Sequence, residues 1–395
     1  MTMRRIVVVG NGIAGLTACD ALRSAGFDGE LTVVGSETHQ PYSRPALSKA
    51  LLHGNDQLTA HELPDPSHGA TELLGVSAAG LDVEAQLVRL EDGTDVPYDG
   101  LVIASGSRAR RLSERVPGGT SDGGSREVTL RTFDDALALK ERVAGQPSVV
   151  VIGGGALGME VASGCLHAGC DVTLVSDGPP LSHQLGGHLS QLFVEAALRE
   201  GLRVVDGGRA RVVESGSGAQ VVLADGTELS ADLVVSAVGD EPNTGWLADS
   251  GLLTDGELHT DSRGRVRPEI VAAGDVACFP AGEGASRVPL WTSAIEQAKT
   301  AALGLLHGDA APELEFQPYF WTEGFGLSLK SIGATPVSGP PDFCETEAQE
   351  GSQLLYWQHA DGSGTAVAVN YRIPIPKLRR LANTGPATLQ NVARA

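Results

Sequence analysis

The sequence of 395 residues is short of positive charge, of cysteine and of long apolar runs. It has 29 lysines and arginines against 49 aspartates and glutamates, and the net charge of −20 argues against nonspecific binding to nucleic acid or an anionic membrane. No stretch approaches the roughly 20 apolar residues that a membrane-spanning helix needs. Five scattered cysteines do not form a disulfide framework. We therefore expect a cytoplasmic enzyme of several domains, with no membrane or nucleic-acid partner.

Two glycine patterns each join a short apolar strand to a helix. They are Gly10, Gly12 and Gly15 after residues 6–9, and Gly153, Gly155 and Gly158 after residues 149–152. The first glycine of such a pattern permits a tight turn, the second lets a pyrophosphate approach the backbone, and the third lets the helix pack on the strand. The free amides at the helix N-terminus then face the phosphates. The sequence therefore predicts two βαβ units, each with a dinucleotide.

Two dinucleotides in one chain indicate a bound flavin and a diffusing nicotinamide, because hydride chemistry belongs to such cofactors. The strand-like residues 271–273 lead into Gly274 and Asp275, beyond the second glycine pattern. This order predicts that the chain returns to complete its first domain. The Gly/Ser/Arg-rich residues 117–126 are expected to form an exposed connection.

The carboxylates that contact a ribose follow the second strand of each unit. In the first unit Ser36 and Glu37 occupy this place, with Glu37 as the obvious carboxylate. In the second unit Ser176 stands where the carboxylate is expected, and Asp177 follows it. No arginine occurs in residues 176–185 to accept a 2′-phosphate. These residues favour NADH and leave NADPH possible.

The sequence resembles the FAD-dependent pyridine-nucleotide oxidoreductases, and within them the NAD(P)H:ferredoxin reductases of the putidaredoxin-reductase and biphenyl-dioxygenase-reductase type. The resemblance covers essentially the whole chain. The motifs that carry it are residues 10–15, 41–49, 98–106, 130–132, 153–160, Gly239 with Pro242 and Asn243, 274–275, 291–297 and 320–321. The string Arg44-Pro45-Ala46-Leu47-Ser48-Lys49 is the most specific of them.

The resemblance implies an α/β fold with two Rossmann-like dinucleotide-binding domains of the glutathione-reductase kind and an α+β C-terminal domain. It implies an FAD domain in two parts, residues 1–110 and 243–316. An NAD(P)H domain at residues 111–242 and a C-terminal reductase domain at residues 317–395 complete the chain.

The resemblance also implies the site residues. The FAD contacts are Gly10, Gly12, Ala14, Gly15, Ser36, Glu37, Arg44, Lys49, Arg131, Gly274, Asp275 and Trp291. The NAD contacts are Gly153, Gly155, Gly158, Glu160, Asp177 and Gly239. Lys49 is expected near the flavin N5 and paired with Glu160, since a buried ammonium needs a carboxylate. Trp321 is expected to shield the flavin face, so that Lys49, Glu160 and Trp321 form the catalytic set.

Disulfide reductases on this scaffold place a C-x4-C pair beside the flavin, where this chain has Ser43 and Ser48. Cys165 and Cys170 have that spacing but follow Gly158, so we interpret them as packing residues on a helix. No cysteine or histidine cluster has metal-ligand spacing, and no metal is predicted. Electrons therefore have no cysteine relay and must leave FAD for an external acceptor.

The leading hypothesis is an NADH-dependent reductase of a ferredoxin, a 2Fe-2S or similar protein, that serves a cytochrome P450 or Rieske oxygenase. One alternative is a related oxidase or a reductase of quinones or other small molecules. Another is a flavin-bound interaction protein of the apoptosis-inducing-factor type. Thr322-Glu323-Gly324 replaces the Ser-Asp-Gln that is common after the tryptophan, which leaves the acceptor open.

Ferredoxins are usually acidic, so a reductase with a net charge of −20 needs a local basic surface for docking. The candidates are Arg108, Arg110, Arg111, Lys299, Lys330, Lys377, Arg379 and Arg380.

Overall fold

A computed structural model describes residues 3–49, 60–113, 127–215, 218–282, 284–347 and 351–386. The predicted connection at residues 117–126 lies outside the described residues. The chain forms two compact units. Unit 1 comprises Met1–Ser43, Leu58–Arg108 and Asp240–Phe316, and unit 2 comprises Arg44–Gln57, Ala109–Gly239 and Gln317–Ala395, within the described residues.

The α-helices of the described residues are α1 (Ile13–Ser24), α2 (Phe133–Val143), α3 (Ala156–His167), α4 (Ser182–Leu185), α5 (Gly187–Arg199), α6 (Trp291–His307) and α7 (Ile375–Thr384). The strands up to residue 128 are β1 (Arg5–Val9), β2 (Glu30–Gly35), β3 (Thr71–Leu74), β4 (Ala78–Asp82), β5 (Leu87–Leu90), β6 (Asp95–Pro97), β7 (Gly100–Ile103), β8 (Ser107–Ala109) and β9 (Glu127–Val128).

The following strands are β10 (Ser148–Ile152), β11 (Asp171–Ser176), β12 (Arg203–Asp206), β13 (Arg211–Ser215), β14 (Gly218–Val222), β15 (Glu228–Ala231), β16 (Leu233–Ser236), β17 (Asp240–Pro242) and β18 (Leu258–His259). The remaining strands are β19 (Arg265–Arg267), β20 (Ile270–Ala272), β21 (Ala277–Ala281), β22 (Gly284–Ser286), β23 (Tyr319–Gly324), β24 (Leu327–Ile332), β25 (Phe343–Thr346), β26 (Gln353–Gln358) and β27 (Gly364–Val369).

Unit 1 is built on a six-stranded sheet in the order β19-β20-β7-β1-β2-β3. Its strands are parallel except for the pair β19 and β20, and Val8 lies opposite Val33 on one side and Val102 on the other. The strand β20 pairs with β7, which confirms that the chain returns to complete its first sheet.

Both faces of the sheet are covered at its centre, which explains why β1 and β7 are largely apolar and buried. Side chains alternate between the faces along a strand. Ile6 and Val8 therefore pack with the apolar sides of α1 and α6, while Val7 and Val9 pack with the strands β4–β6.

Unit 2 contains a parallel five-stranded sheet in the order β12-β11-β10-β16-β9, in which β10 and β11 are joined through α3. In this sheet and in the six-stranded sheet of unit 1, an aspartate that precedes one strand accepts hydrogen bonds from the start of the neighbouring strand. Asp99 precedes β7 and accepts hydrogen bonds from the backbone N–H groups of Arg4 and Arg5 at the start of β1. Asp232 precedes β16 and accepts from the N–H and hydroxyl of Ser148 at the start of β10.

Unit 2 ends in an antiparallel five-stranded sheet in the order β23-β24-β27-β26-β25. The apolar side of α7, with Leu378 and Leu381, packs against Ile332, Leu354 and Ala366 of this sheet. The predicted α/β fold with two βαβ units and an α+β C-terminal part is confirmed. The domain boundaries at residues 110, 242 and 316 stay predictions. Within the described residues, no helix is both long enough and apolar enough to cross a membrane.

Candidate functional site

The first glycine pattern forms a backbone cradle between β1 and α1. Gly10 has a φ of +121°, and a Cβ there would lie 2.0 Å from the carbonyl oxygen of Ala104. A Cβ on Gly15 would lie 1.8 Å from the carbonyl oxygen of Gly10. A Cβ on Gly12 would meet nothing within 4 Å. The outer glycines are therefore required by close backbone packing, whereas Gly12 leaves space beside the N-terminus of α1.

The second pattern repeats this geometry between β10 and α3. Gly153 has a φ of +115°, and its Cβ would lie 2.2 Å from the carbonyl oxygen of Ala237. A Cβ on Gly158 would lie 1.8 Å from the carbonyl oxygen of Gly153. Gly155 also has space beside it, because a Cβ on Gly155 would have no atom closer than Oε1 of Gln184, at 3.5 Å.

Gln184, on α4, distinguishes the second cradle from the first. The backbone N–H of Ala156, the first residue of α3, donates to Oε1 of Gln184 over 2.8 Å. In the described part of unit 1, no side chain makes the corresponding contact with the start of α1. Gln184 was not predictable from the sequence, because it lies 28 residues from Ala156 and belongs to no motif.

The residues after the second strands also differ between the units. In unit 1, the hydroxyl of Tyr42 donates to Oε2 of Glu37 over 2.6 Å, and Ser36 is exposed. In unit 2, Ser176 is buried, and its Oγ lies 2.0 Å from the position of a Cβ on Gly154. Asp177 is exposed at the end of β11. Two exposed carboxylates lie at this edge of unit 2, Asp177 and Asp206 at the end of β12, and Oδ1 of Asp206 accepts from the Gly178 N–H over 3.4 Å.

The other predicted FAD residues of unit 1 surround the start of α6. The backbone N–H of Gly274 donates to Oε1 of the buried Gln297, and a Cβ on Gly274 would lie 2.9 Å from Cβ of Ala14. The Ser107 hydroxyl donates to Oδ2 of Asp275 over 3.3 Å. Trp291 is the half-buried first residue of α6.

Three predicted FAD residues, Arg44, Lys49 and Arg131, belong to unit 2. Nη1 of Arg44 donates to the carbonyl oxygen of Arg131 over 2.9 Å. Arg131 precedes α2, whose capping box of Thr132 and Asp135 holds this turn, since Asp135 also accepts from the Arg131 N–H. Gly239, a predicted NAD residue, has a φ of +99° and accepts from the Arg110 N–H.

Lys49 and Glu160 form a buried ion pair in unit 2. Nζ of Lys49 lies 2.8 Å from Oε1 and 2.9 Å from Oε2 of Glu160, whose side chain is 5% exposed. The predicted contact is therefore present, while the catalytic roles of the two residues stay predictions. Glu160 lies on α3 in the turn after Gly158, so the cradle and the ion pair share one helix.

Two hydroxyl groups complete the surroundings of Glu160. The Ser48 hydroxyl donates to Oε2, and the Thr322 hydroxyl donates to Oε1 over 2.6 Å. Neither hydroxyl was predicted as part of the site, although Ser48 and Thr322 are the immediate neighbours of the predicted Lys49 and Trp321. Both contacts join residues more than 100 positions apart.

Trp321 packs beside this ion pair in unit 2. The indole ring of Trp321 stacks on the ring of Tyr319 with a centroid distance of 5.4 Å. Nζ of Lys49 lies 5.9 Å from the centroid of the Trp321 ring. An ammonium at this distance from an indole is stabilised by the electrons of the ring. The three residues predicted as the catalytic set therefore lie together.

The four buried thiols are poor candidates for redox chemistry. All five cysteines are free. Burial raises the pKa of the Cys19 and Cys165 thiols to about 12 and also raises the pKa of Cys170. Reactive cysteines need a lowered pKa. The expectation that Cys165 and Cys170 share a helix is wrong, because α3 ends at His167 and Cys170 lies in the turn before β11.

Glu257, His259 and Cys278 form a cluster that spacing along the chain could not show. One ligand atom of each lies within 4.8 Å of the others, because His259 on β18 is directly opposite Cys278 on β21. Burial, together with the Glu257 carboxylate, raises the pKa of the Cys278 thiol to about 11. A metal would have to displace this proton, and we propose no metal there.

A family model described as pyridine nucleotide-disulphide oxidoreductase matches residues 4–298 of the chain. The chain belongs to this family. The predicted resemblance to FAD-dependent pyridine-nucleotide oxidoreductases is thereby confirmed. Despite the family name, the sequence has no cysteine between Cys19 and Cys165.

Within the pyridine nucleotide-disulphide oxidoreductases, the chain is similar to reductases of oxygenase systems. It is 31% identical over 389 residues to the benzene 1,2-dioxygenase system ferredoxin–NAD(+) reductase subunit of Pseudomonas putida, covering 96% of this chain and 91% of that protein. It is 32% identical over 389 residues to the biphenyl dioxygenase system ferredoxin–NAD(+) reductase component of Paraburkholderia xenovorans (strain LB400), covering 96% of this chain and 93% of that protein.

Among solved structures, the covalent putidaredoxin reductase–putidaredoxin complex gives a TM-score of 0.82 at 27% identity, covering 96% of this chain and 93% of that chain. The predicted likeness to the putidaredoxin-reductase and biphenyl-dioxygenase-reductase type is confirmed by these matches.

Proposed function

We propose that this chain is the ferredoxin–NAD(+) reductase component of an oxygenase system. It oxidises NADH and passes the electrons one at a time to a ferredoxin. The observation that carries the proposal is the presence of two separate dinucleotide cradles in a chain whose buried thiols have raised pKa values. The names of the relatives, ferredoxin–NAD(+) reductases of dioxygenase systems, support the same function.

FAD fits the cradle of unit 1. The space at Gly12 admits a pyrophosphate, and the start of α1 offers its backbone N–H groups. Glu37 and Asp275 are the carboxylates that would hold the ribose and the ribityl side of the cofactor. When bound, FAD supplies the exchange between two-electron hydride chemistry and one-electron transfer. Lys49 is the cation that we assign to the reduced flavin, with Trp321 as the shielding aromatic residue.

NADH is assigned to the cradle of unit 2. Asp177 is the exposed carboxylate at the end of β11, where a ribose 2′-hydroxyl is bound in such units. A carboxylate repels the 2′-phosphate of NADPH, which supports the preference for NADH. Five free thiols fit a reducing compartment, and we propose a cytoplasmic location.

An acidic ferredoxin fits the surface formed by α7 and by Arg372, three residues before the helix begins. Arg372, Lys377, Arg379 and Arg380 are all exposed, and α7 contains no acidic residue. Other candidates are already engaged, since Arg108 pairs with Glu241 and Lys299 pairs with Glu296. We therefore propose α7 as the basic surface for docking, in place of Lys299.

The test is anaerobic reduction of the purified flavoprotein by NADH, followed by rapid mixing with acceptors. We expect fast reduction of an acidic 2Fe-2S ferredoxin at low salt. The double variant Arg379→Glu, Arg380→Glu should slow this step about tenfold while leaving ferricyanide reduction unchanged, since rim charges act on association. Preferential reaction with oxygen or a quinone would support the oxidase alternative. Slow turnover with every acceptor would support the interaction-protein alternative, and purification without flavin would overturn both enzymatic hypotheses.

A further inference from the structure

The Glu160 carboxylate accepts three hydrogen bonds. Oε1 accepts from the Thr322 hydroxyl, and Oε2 accepts from the Ser48 hydroxyl and from Nζ of Lys49. Nζ of Lys49 also lies 2.8 Å from Oε1, so the ion pair involves both oxygens. An ionised carboxylate has about four lone-pair positions for such bonds. Both oxygens of Glu160 are therefore engaged by groups of the protein itself, and each takes part in the ion pair with Lys49.

Of the residues that donate to Glu160, Thr322 is the most distant from it along the chain and the most buried. It lies on β23, 162 positions from Glu160, and its relative exposure is 1%. Its hydroxyl shares Oε1 with the lysine ammonium, so it keeps that oxygen turned towards Lys49. Hydrogen bonds to a charged group are stronger than neutral ones and fix geometry as well as energy.

A second bond joins α3 to the hairpin of β23 and β24 without involving Glu160. The backbone N–H of Phe325, in the turn after β23, donates to the Ser163 hydroxyl over 2.9 Å. Glu160 and Ser163 are three residues apart and therefore share a face of α3. A variant that removes the Ser163 hydroxyl therefore tests the packing of the hairpin. A variant that removes the Thr322 hydroxyl tests the placement of the Glu160 carboxylate.

We propose that Thr322 is a positioning residue for the hydride step. It holds the Glu160 carboxylate in the orientation in which both oxygens contact the Lys49 ammonium. This inference rests on the proposed function.

The experiment compares Thr322→Val, Thr322→Ser and the matched control Ser163→Ala. Flavin reduction by NADH is followed by anaerobic stopped flow over a range of NADH concentrations. We expect Thr322→Val to lower the limiting rate about tenfold, the effect of one bond to a charged group, with the Kd of NADH unchanged. Thr322→Ser should restore the rate, and Ser163→Ala should match the parent protein.

A second measurement does not depend on turnover. Reductive methylation of lysines, quantified by peptide mass spectrometry on the flavoprotein without NADH, reports how firmly the Lys49 amine is held. We expect faster labelling of Lys49 in Thr322→Val than in the parent protein, Thr322→Ser or Ser163→Ala.

Three results would overturn the inference. Equal losses in Thr322→Val and Ser163→Ala would assign the effect to hairpin packing. A raised Kd of NADH with an unchanged limiting rate in Thr322→Val would show that Glu160 serves nicotinamide binding. If Thr322→Val changes neither the limiting rate of flavin reduction nor the labelling of Lys49, Thr322 has no positioning role. If the parent protein is not reduced by NADH, the proposed function fails, and the labelling of Lys49 still decides whether Thr322 holds the ion pair.

Discussion

The two βαβ units of this chain share a glycine pattern but differ in what lies at the N-termini of their helices. In unit 1, the space at Gly12 is open and no described side chain of the unit covers the start of α1. In unit 2, Gln184 accepts from the first N–H of α3. An internal acceptor satisfies a backbone donor whenever the cradle is empty. The difference suits a permanently bound cofactor in unit 1 and an exchangeable one in unit 2.

The sharpest test of this comparison replaces the middle glycine of each cradle. Gly12 and Gly155 have φ values of −90° and −75°, which any residue adopts, so valine there should not strain the backbone. The branched side chain would fill the space that a pyrophosphate needs. We expect Gly12→Val to lower FAD affinity at least about 100-fold and Gly155→Val to raise the Kd of NADH by a similar factor.

Flavin content after purification and anaerobic NADH titration measure these effects, and each variant is the control for the other. The assignment of one cofactor to each unit predicts that Gly155→Val stays yellow. Loss of flavin in both variants would contradict it.

Asp275 tests the FAD side of the comparison. We expect Asp275→Ala to weaken FAD binding about tenfold, because one carboxylate that accepts from the cofactor is lost. Flavin release on dilution, followed by fluorescence, gives the affinity. Ser107→Ala, which removes only the hydroxyl that contacts Asp275, is the matched control and should change the affinity little. An unchanged affinity in Asp275→Ala would remove this residue from the FAD site.

Asp177 tests the nicotinamide side. We expect Asp177→Asn to reduce the preference for NADH over NADPH about fivefold, because the charge that repels a 2′-phosphate disappears. The ratio of kcat/KM values for the two nucleotides is the measurement. Glu141→Gln, which removes an exposed carboxylate on α2 of the same unit, is the control. A ratio that moves equally in both variants would indicate a general charge effect.

Replacement of Gln184 has the smallest expected effect. It tests directly the contact that distinguishes the N-terminus of α3 from that of α1. We expect Gln184→Ala to lower the Kd of NADH about threefold, since the pyrophosphate no longer competes with an internal acceptor for the Ala156 N–H. Gln191→Ala, on α5 and paired with Glu195, should leave the Kd unchanged. A raised Kd in Gln184→Ala would show that Gln184 binds the nucleotide.

Much of the fold was predictable because its information is local. The buried strands β1 and β10 are unbroken apolar runs, and the glycines that follow them are imposed by backbone contacts of 2.0 Å and 2.2 Å for a hypothetical Cβ. The end of α3 was less predictable, and Cys170 was wrongly placed on it. Helix ends depend on a few weak local preferences that neighbouring residues override.

The candidate site was predictable only in part. Lys49 and Glu160 were paired through the resemblance and the need of a buried ammonium for a carboxylate. Ser48, Thr322 and Gln184 were not selected, because a lone hydroxyl or amide has no sequence pattern. The cluster of Glu257, His259 and Cys278 was missed for a similar reason, since strand pairing and not spacing brings it together.

By itself, the sequence determined two dinucleotide-type units, a flavin and nicotinamide chemistry, and the lack of a cysteine relay, because glycine spacing and apolar runs act over a few residues. The tertiary structure decided which groups contact the Glu160 carboxylate. It also decided that the first backbone N–H of α3 donates to the side chain of Gln184. Those contacts join residues 28 to 162 positions apart. Their formation depends on how the strands and helices pack, and no local pattern encodes that packing.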